Sequence, residues 1–183
     1  MEKAIEILRN GGVILYPTDT VWGIGCDATN PEAVQKIYDL KQRNSSKSMI
    51  VLLENDTKLN RYVKQIPDIA WDIVELSEKP TTIIYPEGYN LAANILAEDK
   101  SIAIRIVKEG FCHDLLRKFG KPLVSTSANI SNNKTPLSFT DIDKRILEGV
   151  DYIVNLPPNV KLRTKSSTIM KIDMDSTFTL IRK

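Results

Sequence analysis

Four polar segments hold the residues whose types and spacing could do chemistry. The first, Tyr16-Pro-Thr-Asp-Thr-Val-Trp-Gly-Ile-Gly25, sets hydroxyls and one carboxylate between a rigid proline and two glycines. Such a loop could hold a small polar ligand, or be a strand-to-loop turn whose hydroxyls satisfy backbone groups. The second, Lys41-Gln-Arg43-Asn-Ser-Ser-Lys47-Ser, places three cations at the end of a helix and in the loop behind it. A triphosphate would suit them, and so would the negative end of a helix dipole facing water. The third, Ser125-Thr-Ser127-Ala-Asn129, continues into Ser131–Thr135 and concentrates small donors and acceptors. They could bind phosphate or make an ordinary hydroxyl-rich turn. The fourth joins Ser166-Ser167-Thr168, entering a strand, to Arg182, leaving the last one.

The elements that must position these segments follow from hydrophobic period. Residues 2–10 alternate at helical spacing and Gly11-Gly12 ends them before the strand-like run 13–16. Asn30 followed by Pro31 is a cap and first-turn pair that starts a helix to about residue 40. Strands are expected at 49–53, 81–85, 101–105, 122–125 and 152–154, with helices at 70–76, 111–119 (stopped by Gly120) and about 140–148. The runs 168–172 and 177–181, separated by Asp173-Met-Asp-Ser176, predict a terminal hairpin. Polar stretches 43–48, 131–138 and 155–167 read as surface loops inside one domain over residues 1–183. The order implies an α/β fold, a mixed twisted open sheet flanked by helices. Such sheets collect ligands in the crevice beyond their strand ends, where the four segments fall.

Composition excludes more than it proposes. A hydrophobic share of 42% in 183 residues supports a real core, and 25 Lys and Arg against 23 Asp and Glu leave net charge silent about an anionic partner. Cys26 and Cys112 stand far apart, which suits a reducing compartment. The charged N-terminus does not resemble a secretory signal, and no run approaches the ~20 apolar residues of a membrane span. A cytoplasmic protein with no membrane role is expected. With His113 as the single histidine, no metal site is expected from the chain itself. There is no G-x-x-x-x-G-K-[ST] loop, no third glycine after Gly23-Ile-Gly25 and no G-x-S-x-G elbow, so P-loop, dinucleotide-fold and serine-hydrolase readings fall away.

Taken together and in order, the four segments resemble the YrdC-like threonylcarbamoyl-AMP synthases, in their short single-domain form. The family's Pro-Thr-[Asp/Glu]-Thr-x-[Tyr/Trp/Phe]-Gly-[Leu/Ile/Val]-Gly matches residues 17–25, its Lys-x-Arg residues 41–43, its Ser-Ala-Asn residues 127–129 and its Ser-Thr-Ile residues 167–169, while its late Leu-Arg corresponds to Ile181-Arg182. The resemblance implies a YrdC/RibB-like sheet and a nucleotidyltransferase that makes threonylcarbamoyl-AMP and pyrophosphate from L-threonine, bicarbonate and ATP, for tRNA threonylcarbamoyladenosine modification. It implies that Thr20, Arg105 and Ser167 surround threonine, with Leu52 giving a backbone contact, and that Arg43, Lys47, Ser101, Ser125, Ser127, Asn129 and Arg182 surround ATP. Magnesium would arrive on the triphosphate, with Asp19 the carboxylate to test. A downstream threonylcarbamoyl transferase complex is the implied recipient. Two stretches depart from the pattern: Ser48 replaces a proline after the basic loop, and a Trp-Pro-Gly-Pro-x-Thr stretch has become Leu76-Ser-Glu-Lys79-Pro80-Thr-Thr82, in which Pro80 and Thr82 survive and Lys79 replaces the glycine.

Two other classes compete. A tRNA or double-stranded RNA binding module without catalysis could use Lys41, Arg43, Lys47, Lys161, Arg163 and Lys165 as a basic concave face, and its binding would weaken steeply with salt. A carbamoyl-transfer accessory domain would be expected beside fused acylphosphatase-like or zinc-finger regions, which this sequence lacks.

Overall fold

Apolar runs and helix-period segments alternate along the chain, and they assemble into one mixed sheet. The computed structural model describes residues 1–43, 49–155 and 166–183. Its strands are β1 Ile14–Pro17, β2 Trp22–Asp27, β3 Ile50–Leu53, β4 Thr81–Tyr85, β5 Ile102–Ile106, β6 Leu123–Ser127, β7 Tyr152–Ile153, β8 Thr168–Ile172 and β9 Phe178–Arg182. Among the described residues they lie in the order β7-β1-β2-β6-β3-β5-β4-β8-β9, with β7 parallel to β1, β3 to β5 and β4 to β8, and the other neighbours antiparallel. The helices are α1 Glu2–Arg9, α2 Pro31–Leu40, α3 Asp68–Leu76, α4 Gly110–Phe119 and α5 Lys144–Gly149.

Local sequence explains most boundaries. Asn30 Oδ1 accepts the Ala33 amide at 2.9 Å and Pro31 occupies the first turn, so α2 starts where an orphan donor is satisfied. Gly120 adopts φ +79 and donates its amide to Leu116 O, closing α4 in a left-handed conformation that suits glycine. The terminal hairpin forms as β8 and β9.

Three expectations shift. Residues 16–25 are a tight hairpin rather than a long loop: Tyr16 lies opposite Gly23 and only Thr18–Val21 turn. The glycines there answer to crowding. A Cβ on Gly25 would lie 2.6 Å from Val124 O and 2.7 Å from the Tyr16 ring. Strand β6 runs on to Ser127, so Ser125 and Ser127 are strand residues. The helix near 140 begins as a 3₁₀ turn, Phe139–Asp141, and α5 starts at Lys144 because Asp143 caps Arg145 N at 2.9 Å.

Register shows what the sheet presents. Leu123, Leu52, Arg105, Thr82, Ile169 and Arg182 form one cross-strand row, and Gly25, Ser125, Ile50 and Ala103 form another two residues along, on the same face. Helices α1 and α4 cover part of that face with Ile5, Leu8, Leu115, Leu116 and Phe119, packed on Ile14, Tyr16, Leu52 and Leu123. Each such fully buried side chain contributes about 1.5–3 kcal/mol. The opposite face is sealed by a larger cluster in which Val34 and Ile37 of α2 meet Leu15, Ile24, Val51, Ile104 and Val124. The polar members of the first face are left as the floor of a cavity.

Candidate active site

Strand register brings distant hydroxyls and guanidiniums together. Thr20, Arg43, Arg105, Ser125, Ser127, Ser167 and Arg182 all line one cavity of about 210 Å³. They come from the β1–β2 turn, the end of α2, β5, β6, the approach to β8 and the end of β9. Arg43 and Ser166 each border a segment outside the described residues.

The groups are tied to one another. Thr18 Oγ1 donates to Val21 O at 2.8 Å and accepts the amides of Thr20 and Val21 at 3.1 Å each, so the turn is built on that hydroxyl. Thr18 and Thr20 share a hydroxyl–hydroxyl bond of 2.9 Å. Arg105, whose side chain is 4% exposed, donates through Nη2 to Asp19 Oδ1 at 2.8 Å, and its Nε has no hydrogen-bond partner. Thr82, next to Arg105 in register, shares a 2.9 Å hydroxyl bond with Ser167. Arg182 donates to Ser167 O at 3.1 and 2.9 Å and to its Oγ at 3.3 Å. Ser127 Oγ donates to Asn129 Oδ1 at 2.5 Å.

Charge dominates the lining. Burial lowers the pKa of Arg43 and Arg182 from the ordinary arginine value, and the nearby Arg105 charge adds to the effect on Arg182. Guanidiniums that repel one another around a small cavity gain by receiving an anion, and their planar forks match carboxylate and phosphate oxygens.

Not every expected residue reaches this cavity. Leu52 buries its side chain in the α1–α4 cluster, and Met49 and Ile50 line the cavity at that end of the chain. Ser101 sits at the entrance to β5, outside the lining, where its amide and hydroxyl serve Asp99. Asn129 acts behind Ser127, its Nδ2 donating to Ile130 O at 3.0 Å and Asn133 O at 2.7 Å. Lys47, Ser48, Lys161, Arg163 and Lys165 lie outside the described residues. Lys41 is 1% exposed and cannot belong to a basic surface. Its ammonium donates to Ser127 O at 2.5 Å and Asn129 O at 2.6 Å, clamping the end of β6 to the end of α2. Lys41 and Thr82 are the supporting residues that sequence reasoning missed as such. The Lys-x-Arg spacing contained the signal for Lys41, since residues two apart at a helix end cannot both face the same way.

A second cavity of about 600 Å³ adjoins the first at Thr18 and is lined by Asp19, Val74, Leu76, Lys79, Ile83, Ile104, Ile106, Phe111 and Cys112 among others. Burial first, then the Asp19 charge, pushes the Cys112 thiol up to about 12, and burial raises that of Cys26 as well, so both stay protonated at neutral pH. Among the described residues, no group of three or more His, Cys, Asp or Glu side chains could hold a metal, and no helix is long and apolar enough to cross a membrane.

Comparison with known proteins adds an independent line. The family profile of the Sua5, YciO and YrdC proteins, described as "Telomere recombination", matches residues 6–183. A threonylcarbamoyl-AMP synthase from Pseudoalteromonas translucida is 37% identical over 157 residues, 84% of each chain. The crystal structure of E. coli YciO superposes with a TM-score of 0.84 at 25% identity, covering 99% of this chain and 87% of that one. A variant of P. abyssi Sua5 gives a TM-score of 0.86 at 22% identity over 98% of this chain, which spans 55% of that longer protein.

Proposed function

The chain belongs to the Sua5/YciO/YrdC family, and from that premise we propose that it is a threonylcarbamoyl-AMP synthase. The observation that carries the reading is the convergence of Arg43, Arg105 and Arg182 with paired hydroxyls on one small cavity, at the positions where the sequence carries the family's motifs. In this reading the protein is a nucleotidyltransferase of the cytosol. Threonine's amine adds to carbon dioxide with loss of a proton, or condenses with bicarbonate with loss of water, then a carbamate oxygen attacks the α-phosphate of ATP and pyrophosphate leaves.

Such chemistry asks the protein for placement and charge rather than for a nucleophile. Aligning the reactants supplies up to about 7–11 kcal/mol of barrier lowering, and excluding water protects a short-lived carbamate. We assign Thr20, Arg105 and Ser167 to threonine, and Arg43, Ser125, Ser127 and Arg182 to ATP. For Leu52 on the threonine side, and for Lys47, Ser101 and Asn129 on the ATP side, the assignment rests on the resemblance alone. Serine, lacking threonine's methyl, is expected to be the poorer substrate. Magnesium enters on the triphosphate, since Asp19 is committed to Arg105. The product is passed to a threonylcarbamoyl transferase complex that modifies tRNA.

The test is pyrophosphate release from ATP with bicarbonate, with and without L-threonine and with no RNA present. Release that depends on threonine supports the proposal. Release indifferent to threonine, or tight salt-sensitive binding of duplex RNA without turnover, overturns it.

A further inference from the structure

The two ends of the sheet are finished differently. At one end β7 has 2 residues, Tyr152–Ile153, too short to template another strand. At the other, β9 has 5 and, among the described residues, a strand neighbour on one side alone. Its run Phe178–Ile181 holds neither proline nor charge, the usual guards of a free edge, and its apolar side chains meet water: Phe178 is 59% exposed, Leu180 53% and Ile181 56%. The cover of the sheet stops between β8 and β9. Ile172 is fully buried, whereas Phe178, opposite it on the same face, is not.

Backbone alternation says which groups are on offer. Asp173 N donates to Thr177 O at 2.9 Å, and bonded pairs in an antiparallel ladder recur every second residue. Thr179 therefore bonds Lys171 through its backbone, while Phe178 and Leu180 turn N–H and C=O outward. The ladder shifts between Ile169 and Met170, where Ile181 is the extra residue, so the regular part of the free edge is Phe178–Leu180.

This edge matches itself. Asp173 and Asp175 lie in the turn before β9, and Arg182 and Lys183 lie at its far end. A parallel copy would set like charges side by side, whereas an antiparallel copy brings unlike ones together. We propose that a second copy of this chain covers β9 in an antiparallel, two-fold arrangement with Thr179 on the dyad. In that register Phe178 exchanges backbone hydrogen bonds with the partner's Leu180, and Asp175 comes beside the partner's Lys183. Opposite residues in such a ladder share a face, so the Phe178 and Leu180 side chains of both copies form one apolar cluster. The arginine-lined cavities then lie on one side of a continuous sheet, each with Arg182 at the joined strand.

Sedimentation equilibrium on the whole chain, from about 1 to 500 μM, should show a monomer–dimer equilibrium with a dissociation constant of about 1–100 μM, as a small interface gives. A chain that stays monomeric throughout, or that grows beyond two copies, overturns the proposal. Leu180→Lys, at an exposed position, should weaken the dimer at least about tenfold, and a dimer indifferent to it uses some other surface. Asp175→Lys should also weaken it, and adding Lys183→Asp should restore it; failure of the second change to restore what the first removes overturns the register. The dyad has its own probe. Thr179→Cys should give a disulfide-linked dimer with oxidised glutathione, because opposite residues of a non-hydrogen-bonded pair have Cα atoms about 4.5 Å apart, within disulfide reach. Thr177→Cys, displaced from the dyad, should not, and the native Cys26 and Cys112 are buried. Cross-linking at both positions alike, or at neither, defeats the proposal even if the protein dimerises.

Discussion

Two cavities meet at Thr18, and they differ in what surrounds them. The larger, about 600 Å³, is walled by Val74, Leu76, Ile83, Ile104, Ile106 and Phe111. One of its two lysines, Lys108, is spent on Glu75 O and Ser77 O, where α3 ends. The smaller, about 210 Å³, is bordered by three arginines and hydroxyls already bonded to one another. Volume alone would choose the first. What marks the second is that its donors are fixed before any ligand arrives, which is where electrostatic preorganisation comes from. The difference teaches that buried, mutually tied polar groups identify a reaction site better than empty space does.

Removing a cation from the smaller cavity should separate the two most. Arg43→Ala is expected to slow threonine-dependent pyrophosphate release by about 10²- to 10³-fold, the usual cost of a lost transition-state donor. An unchanged rate would take Arg43 out of the mechanism.

The next effect comes from behind the lining. Lys41→Met removes the clamp on Ser127 O and Asn129 O, so the KM for ATP should rise about tenfold with a smaller change in kcat. Burial, then the Arg43 charge, holds the Lys41 ammonium down to about 7 from its ordinary 10.5, while the two carbonyl acceptors favour the charged form. The sign follows from linkage. Between the two values the unfolded chain holds the proton and the folded one gives it up, so stability rises with pH from about 7 to 10.5 and is lost as pH falls from 10.5 back to about 7. Denaturant titrations should show that slope, up to about 5 kcal/mol in all, in wild type and not in Lys41→Met. ATP affinity should move the other way, weakening as the wild-type clamp loses its charge, and should stay flat with pH in the variant.

Much of this was legible in the residues. Apolar period, Asn30-Pro31 and Gly120 placed the helices, and the ordered motifs named Thr20, Arg43, Ser127, Ser167 and Arg182 as neighbours before any strand order was known. What escaped is what pairing decides. Gly23 and Gly25 look like loop residues until Thr18 Cγ2 beside the first, and the Tyr16 ring and Val124 O beside the second, are seen to leave no room for a Cβ. Thr82 reads as one β-branched residue among several, and only the parallel β4–β8 register puts it against Ser167. Lys41 reads as a surface cation because the Lys-x-Arg spacing says only that it and Arg43 face apart, and not that the end of α2 packs under β6. Ser101 failed to reach the cavity for the same reason: its distance from the site depends on which end of β5 the ligand meets.

Thr82→Val probes that pairing more gently. The shape is kept and the strand still favours a β-branched residue, but Ser167 Oγ retains only the 3.3 Å contact from Arg182. Stability should fall by about 1 kcal/mol and the KM for threonine should rise severalfold. Equal shifts in the threonine and ATP constants would place Ser167 between the two substrates rather than on the amino-acid side.

The smallest effect is expected in the larger cavity. Leu76 ends α3 with 77% of its surface exposed, so shortening it to alanine removes little buried area and touches no polar group of the site. Surface substitutions of this kind stay within about 0.5 kcal/mol in stability, and the rate of pyrophosphate release should change by less than about twofold. Lys79→Gly, which restores the residue the family pattern carries there, should be equally quiet if that cavity takes no part in the chemistry. A Leu76→Ala enzyme as slow as Arg43→Ala would reverse the comparison, because the apolar space would then be holding a reactant and the polar floor beside it would be only its frame.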